Sequence, residues 1–195
     1  MDRKVLKTKR AIRNAFAKLL TEKDLNDITV KDVAELADIN RKTFYNYYTG
    51  IYQLVDEIEN DIAEEFASNI DDLDVMECLR DPMILFNKLA DMMKKDYDFY
   101  SSLFKINVSS VLLKKIAGSM IEIAKNVARK SIKDADEDVL DITVKFIFYG
   151  EVLTFHEWFS RGGRDYPVEL MRETIGGICT KGVGGMISER RQHGQ

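Results

Sequence analysis

Proline and cysteine are scarce in this sequence. Two prolines, Pro82 and Pro167, occur in 195 residues, and each stands where a helix would begin rather than inside one. The two cysteines, Cys78 and Cys179, lie far apart without metal-ligand spacing. Two thiols in a chain of this length fit a reducing compartment, not a disulfide framework. No run of about 18 uncharged apolar residues exists, which excludes a membrane-spanning helix. The basic start MDRKVLKTKR has no apolar stretch behind it, so no secretory leader is expected. Together these absences predict a cytoplasmic protein with no membrane partner. Catalytic signatures are missing too: there is no Ser/His/Asp arrangement, HExxH, phosphate-cradling glycine loop or paired-cysteine site. Of the two histidines, His193 lies in the polar tail ERRQHGQ. His156, followed by Glu157, sits on an apolar helix, where its ordinary role is that of a satisfied core or interface residue. No catalytic residue, metal site or cofactor is expected, and the chain does not read as an enzyme.

What is present is helical periodicity along nearly the whole length, with little β-type alternation. The predicted class is all-α. Ile12, Phe16, Leu19 and Leu20 line one face of a first helix over about 8–22. Thr29 is placed to cap a short helix VKDVAELA, with Asp32 at its third position. Asn40 is placed to cap a third, RKTFYNYY, which Thr49-Gly50 would close in the usual glycine manner. A long amphipathic helix follows over 51–70, then an acidic stretch, DDLDVMECLRD, expected to contain a loop. Asp81-Pro82 starts another helix, and further helices are expected over 98–106, 109–132, 137–160 and 167–186. Residues 1–50 are predicted to form one domain and residues 51–195 a larger helical one.

Charge is distributed unevenly between these parts. Residues 1–50 hold 11 Lys/Arg and 7 Asp/Glu, whereas the remainder is acidic and the whole chain carries a net charge of -4. A basic head on an acidic body suits a polyanionic partner for the head alone, though small asymmetries also arise by chance.

The segment DINRKTFYNYYTG, residues 38–50, sharpens that expectation. Two short helices joined by a tight turn form a helix-turn-helix unit. Its first helix needs a small apolar inner face, met by Val33, Ala34 and Ala37. Its turn needs an apolar plug, met by Ile39, and its second helix needs apolar groups facing back, met by Phe44 and one edge of Tyr47. Asp38 occupies the turn position usually given to glycine, and aspartate tolerates left-handed backbone better than most residues. With that packing set, Arg41 and Lys42 fall on the leading turn of the second helix, the part that enters a major groove. Arginine there can contact guanine through two hydrogen bonds. Thr43, Tyr45 and Tyr47 carry hydroxyls suited to phosphate oxygens, and Thr29 offers a hydroxyl and free amides at a helix start. Singly, these cations would serve as solvated charges, the tyrosines as packing groups and Thr29 as a cap. Their joint placement against the apolar set favours DNA.

The runs TKRAIRNAFAKLL and ITVKDVAELADINRKTFYNYYTGIYQLVDEI resemble the N-terminal domain of TetR/AcrR-family transcriptional regulators over roughly residues 8–58. The resemblance implies a three-helix DNA-binding head joined by a fourth helix to a larger helical domain that dimerises and often binds a small effector. It also implies DNA contacts at Thr29, Arg41, Lys42, Thr43, Tyr45 and Tyr47. The family often places a lysine where this chain has Ile51, so one phosphate contact is in question, with Tyr52 nearby.

The remaining sequence holds more apolar surface than a three-helix head requires. KFIFYGEVLTFHEWFSRGG is apolar on nearly every face and must be buried within its domain or against a partner. It is similar to a C-terminal domain common in Gram-positive members of the family. That similarity implies a homodimer through about 145–160, Phe155 included, and 167–187, and hence a palindromic operator. Met92, Met93, Phe99, Tyr100, Phe104, Met120, Phe146 and Tyr149 could line an effector pocket. Such stripes at helical spacing are also what plain core looks like. The reading that follows is a homodimeric repressor released by a small molecule. An architectural DNA binder with a protein partner, and a helical interaction or enzymatic module without DNA, remain as alternatives.

Overall fold

A computed structural model describes residues 3–81, 83–106, 110–132 and 136–162, and every regular element among them is a helix. The all-α expectation therefore holds. In chain order the helices are α1 (Arg3–Leu19), α2 (Val30–Leu36), α3 (Arg41–Tyr45), α4 (Ile51–Ile70), α5 (Val75–Arg80), α6 (Met83–Lys95), α7 (Tyr97–Lys105), α8 (Val111–Ser131) and α9 (Glu137–Ser160). A single 3-10 turn, Leu25–Asp27, links α1 to α2. The acidic stretch expected to hold a loop turns at 71–74 and then forms α5. The helix and dimer segment expected over 167–187, together with Cys179 and His193, lies outside the described residues.

The chain divides into two compact units, and the division does not follow the boundary expected after residue 50. Among the described residues, the first unit takes 3–64 and 96–116, and the second takes 65–95 and 117–162. The head thus includes α7, because α1 packs on it as well as on α2. Ile12, Phe16, Val33, Phe44, Leu54 and Phe99 are all buried in this unit. The guanidinium carbon of Arg13 lies over the Phe99 ring, 3.6 Å from its centre, and Arg13 shares Asp96 with Arg10, whose Nη2 approaches to 2.9 Å. A cation stacked on a ring covers apolar surface while keeping its charge useful.

In the second unit α9 supplies most of the aromatic core. Phe155 stacks on Phe86 with ring centres 5.0 Å apart, and Phe66 meets Phe148 edge-on at 6.2 Å. Asp136 caps α9 by accepting from the amides of Asp138 and Val139, and Gly162, at φ 104°, follows its end. Left-handed backbone there suits glycine, which has no Cβ to clash.

Candidate nucleic-acid interface

The turn between α2 and α3 is fixed by local hydrogen bonds. Thr29 and Asp32 form a reciprocal capping box at the start of α2. The Asp32 amide donates to Thr29 Oγ1 at 3.2 Å, and the Thr29 amide donates to Asp32 Oδ2 at 2.9 Å. At the other end of α2, Asp38 adopts φ 54°. The Ile39 amide then reaches Ala34 O at 3.0 Å and the Asp38 amide reaches Glu35 O at 3.2 Å. This is a Schellman closure, built on an aspartate where glycine is usual. Ile39, the expected plug, is half-buried.

Immediately afterwards Asn40 caps α3, its side-chain oxygen accepting from the Thr43 amide at 2.7 Å and from the Thr43 hydroxyl at 3.0 Å. A five-residue helix cannot sustain itself by propagation, so cap and packing decide its stability. The packing comes from Phe44, fully buried, and from Tyr48 one turn later. Tyr48 donates its phenol proton to Glu57 Oε1 at 2.6 Å, while Lys9 Nζ holds Glu57 Oε2 at 2.6 Å. Burial first, and then Glu57, push the Tyr48 phenol well above its ordinary range, so it stays a donor. Through this chain α1, α4 and the end of α3 are tied together. Tyr48, Glu57 and Lys9 were not among the expected site residues. The spacing of Tyr48 four positions after Phe44 was the signal that both share one inward face.

With α3 so held, Arg41 and Lys42 are exposed on its first turn, and neither forms an ion pair among the described residues. Several other cations of this unit are engaged. Lys9, Arg10, Arg13, Lys23 and Lys31 each meet a carboxylate. Tyr45 is exposed, Tyr47 and Thr43 are half-buried, and Thr29 is exposed. The Thr29 hydroxyl already donates to Asp32 Oδ2 at 2.8 Å, so a phosphate there would compete with Asp32. Tyr52 is exposed on the first turn of α4 and donates to Asn26 Oδ1 at 3.1 Å.

One closing element differs from expectation. Gly50 does not take left-handed backbone and does not terminate α3. The helix ends at Tyr45, and the Thr49 amide instead donates to Gln53 Oε1 at 2.6 Å, which sets the entry into α4.

In the second unit, a cavity of about 240 Å³ is lined by α4, α5, α6, α8 and α9 and the turns beside them. None of the eight residues expected to line a pocket belongs to its wall. Met92, Met93 and Met120 are core in this unit, and Phe99, Tyr100 and Phe104 are core in the first. Phe146 and Tyr149 are 63% and 44% exposed. They join Ile142 and Leu153, also exposed, in one stripe along α9 at helical spacing. Phe155, expected on a partner-facing surface, is 1% exposed and belongs to the core. The cavity does hold one unexpected group. Glu151 is 5% exposed, and its Oε2 has no hydrogen-bond partner. Among the described residues no cluster of His, Cys, Asp and Glu is arranged to hold a metal, and no helix is long and apolar enough to cross a membrane.

Comparison with known proteins agrees with this geometry. Residues 12–58 match the model for bacterial regulatory proteins of the tetR family. An uncharacterized HTH-type transcriptional regulator, YxbF of Bacillus subtilis, is 31% identical over 99 residues, 47% of this chain and 26% of the relative. The HTH-type dhaKLM operon transcriptional activator DhaS of Lactococcus lactis is 37% identical over 70 residues, 35% of this chain and 37% of that protein. The matched stretches thus span about a quarter of the first relative and little more than a third of the second. The fold is similar to that of the fatty acid degradation regulator FadR from Bacillus halodurans. The TM-score is 0.64 at 13% identity, covering 90% of this chain and 95% of that one.

Proposed function

We propose, from the match of residues 12–58 to the DNA-binding region of the tetR family of bacterial regulatory proteins, that the chain is a cytoplasmic homodimeric repressor of a palindromic operator. The observation that carries the DNA contact is the leading turn of α3. Arg41 and Lys42 stand exposed and unpaired on a helix buttressed by Asn40, Phe44 and Tyr48. Cations so placed can enter a major groove, Arg41 reading base edges while Lys42, Thr43, Tyr45, Tyr47 and Thr29 meet phosphates.

Dimerisation is supported by α9. Ile142, Phe146, Tyr149 and Leu153 give it an exposed apolar stripe, and a second copy offers the complementary face through twofold symmetry. Two recognition helices related in this way meet half-sites about one helical turn of DNA apart. Release is assigned to a small molecule in the cavity of the second unit, which shifts the population toward a form with the recognition helices misplaced.

Selection of duplexes from a random library, followed by titration of the winner against salt, tests this reading. An inverted repeat and a steep loss of affinity with salt are expected. No enrichment, or binding indifferent to salt, overturns it. A reporter placed behind the selected site gives the sign of regulation. Lower output with the protein present supports repression, and higher output would instead match the activation named for the Lactococcus lactis relative.

A further inference from the structure

The cavity of the second unit has an unusual wall. α4, α6 and α8 contribute only apolar side chains, among them Phe66, Leu85 and Val127. Its polar groups are Cys78 on α5, Asp136 at the start of α9, and Thr143 and Glu151 on α9. No lysine, arginine or histidine lines it among the described residues. Lys125 and Lys145, on α8 and α9, are both held by Asp141, at 2.8 and 2.6 Å. Asp136 is occupied in capping α9. Among the described residues of this unit, Glu151 is left with a buried oxygen that finds no partner, and it borders the cavity.

A buried acceptor without a partner is costly, and the cost is removed by whatever donates to it. An anionic ligand would meet two carboxyl groups and no counter-charge. A wholly apolar ligand would leave Glu151 Oε2 as it is. Resting on the reading of this unit as an effector domain, we propose that the cavity binds a small apolar molecule carrying one protonated amine, whose N–H donates to Glu151. Burial pushes the empty-cavity carboxyl up to about 8, so it is largely neutral near pH 7. Entry of an ammonium group then converts it to carboxylate. The carboxyl proton leaves to solvent, and an ammonium–carboxylate pair remains in the cavity. Cys78, whose thiol is raised mainly by burial, and Asp136 are the other titratable groups of the wall.

The test uses the full chain and three probes of matched shape: phenylbutylamine, phenylbutanol and phenylbutyrate. Calorimetry near pH 7 is run in two buffers of different ionisation enthalpy. The amine should bind about tenfold or more tighter than the alcohol, as hydrogen bonds to charged groups allow, with the carboxylate weakest. Close to one proton should be released per amine bound and none per alcohol. In Glu151→Gln the amine and the alcohol should bind alike, with no proton release. An amine preference that survives in Glu151→Gln, tightest binding by the carboxylate, or amine binding without proton release by the unaltered protein each overturns the proposal. Alcohol binding without an amine preference does so while leaving the effector reading intact. Binding by none of the three removes the amine and the cavity together, and the salt titration on operator DNA judges the head separately.

Discussion

Replacing Glu151 with glutamine should stabilise the second unit, and the gain should grow with pH. Burial raises this carboxyl from 4.5 to about 8 in the folded chain. The folded state therefore holds a proton that the unfolded state releases above about pH 4.5, the ordinary value for an exposed glutamate. Because the unfolded state then binds fewer protons, stability falls as pH rises from about 4.5 to about 8, and levels off beyond. One unit of separation is worth about 1.4 kcal/mol, so by pH 7 the accumulated cost is about 3 kcal/mol. Glutamine is nearly isosteric and never ionises, so its advantage should vanish near pH 4.5 and approach that figure near pH 7. Whatever its amide loses in the apolar wall is the same at every pH and shifts the curve without tilting it. The single tryptophan of the sequence, Trp158, lies on the same helix, buried with its ring 4.7 Å from Phe159. Its fluorescence in urea titrations from about pH 5 to about pH 8 reads this unit directly. The carboxylates held low by cations, Asp72, Glu137 and Asp141, are present in both proteins and cancel in the difference. Parallel stability profiles for the two proteins would refute the argument, because they would mean that Glu151 is already charged and solvated when folded.

The remaining predictions concern the head and the exposed stripe of α9. Asn40→Ala removes the acceptor of the Thr43 amide and should cost about 1 kcal/mol, read as a lower thermal midpoint and faster hydrogen exchange at Thr43; an unchanged midpoint would show that α3 is held by packing alone. Arg41→Ala should weaken binding to the selected operator by about 1–3 kcal/mol and relax preference at one base pair; equal titration curves would count against groove entry. Phe146→Glu, at an exposed site, should leave the helical content intact and halve the mass in sedimentation, whereas Phe155→Glu should unfold the second unit, as burial of an unpaired charge demands. A Phe146→Glu protein that still sediments as a dimer would remove the stripe from the interface.

Features of the head built from short-range hydrogen bonds were legible in the residues. The cap at Thr29 and the cap at Asn40 each join groups three positions apart, so the pattern that predicts them is complete within a few letters. Asp38 was legible for the same reason, since its left-handed backbone follows from the turn it must make. Gly50 shows where that logic runs out. Glycine permits a left-handed stop without requiring one, and Gln53 captures the Thr49 amide instead. The Lys9–Glu57–Tyr48 tie was illegible because its members lie up to 48 positions apart, and no local pattern pairs them.

The second unit was misread at the level of faces, for a physical reason. α9 is apolar nearly all round, so periodicity marks it as buried without saying which side meets its own domain. Leu153 and Phe155 are two residues apart, roughly 200° around a helix at 3.6 residues per turn, and one is exposed while the other is core. The cavity has other walls than the eight residues expected for a pocket, for a related reason. Large methionines and aromatics look like the walls of a ligand site, yet large side chains fill space, and Met92, Met93 and Met120 became core. The cavity runs along Ala124, Ala128, Val139 and Val144, whose short side chains leave space between Phe66 and Phe148 and the other large groups of its wall. An acid among such residues is costly to the fold. A donor that enters the cavity would remove that cost, which the wall itself leaves standing.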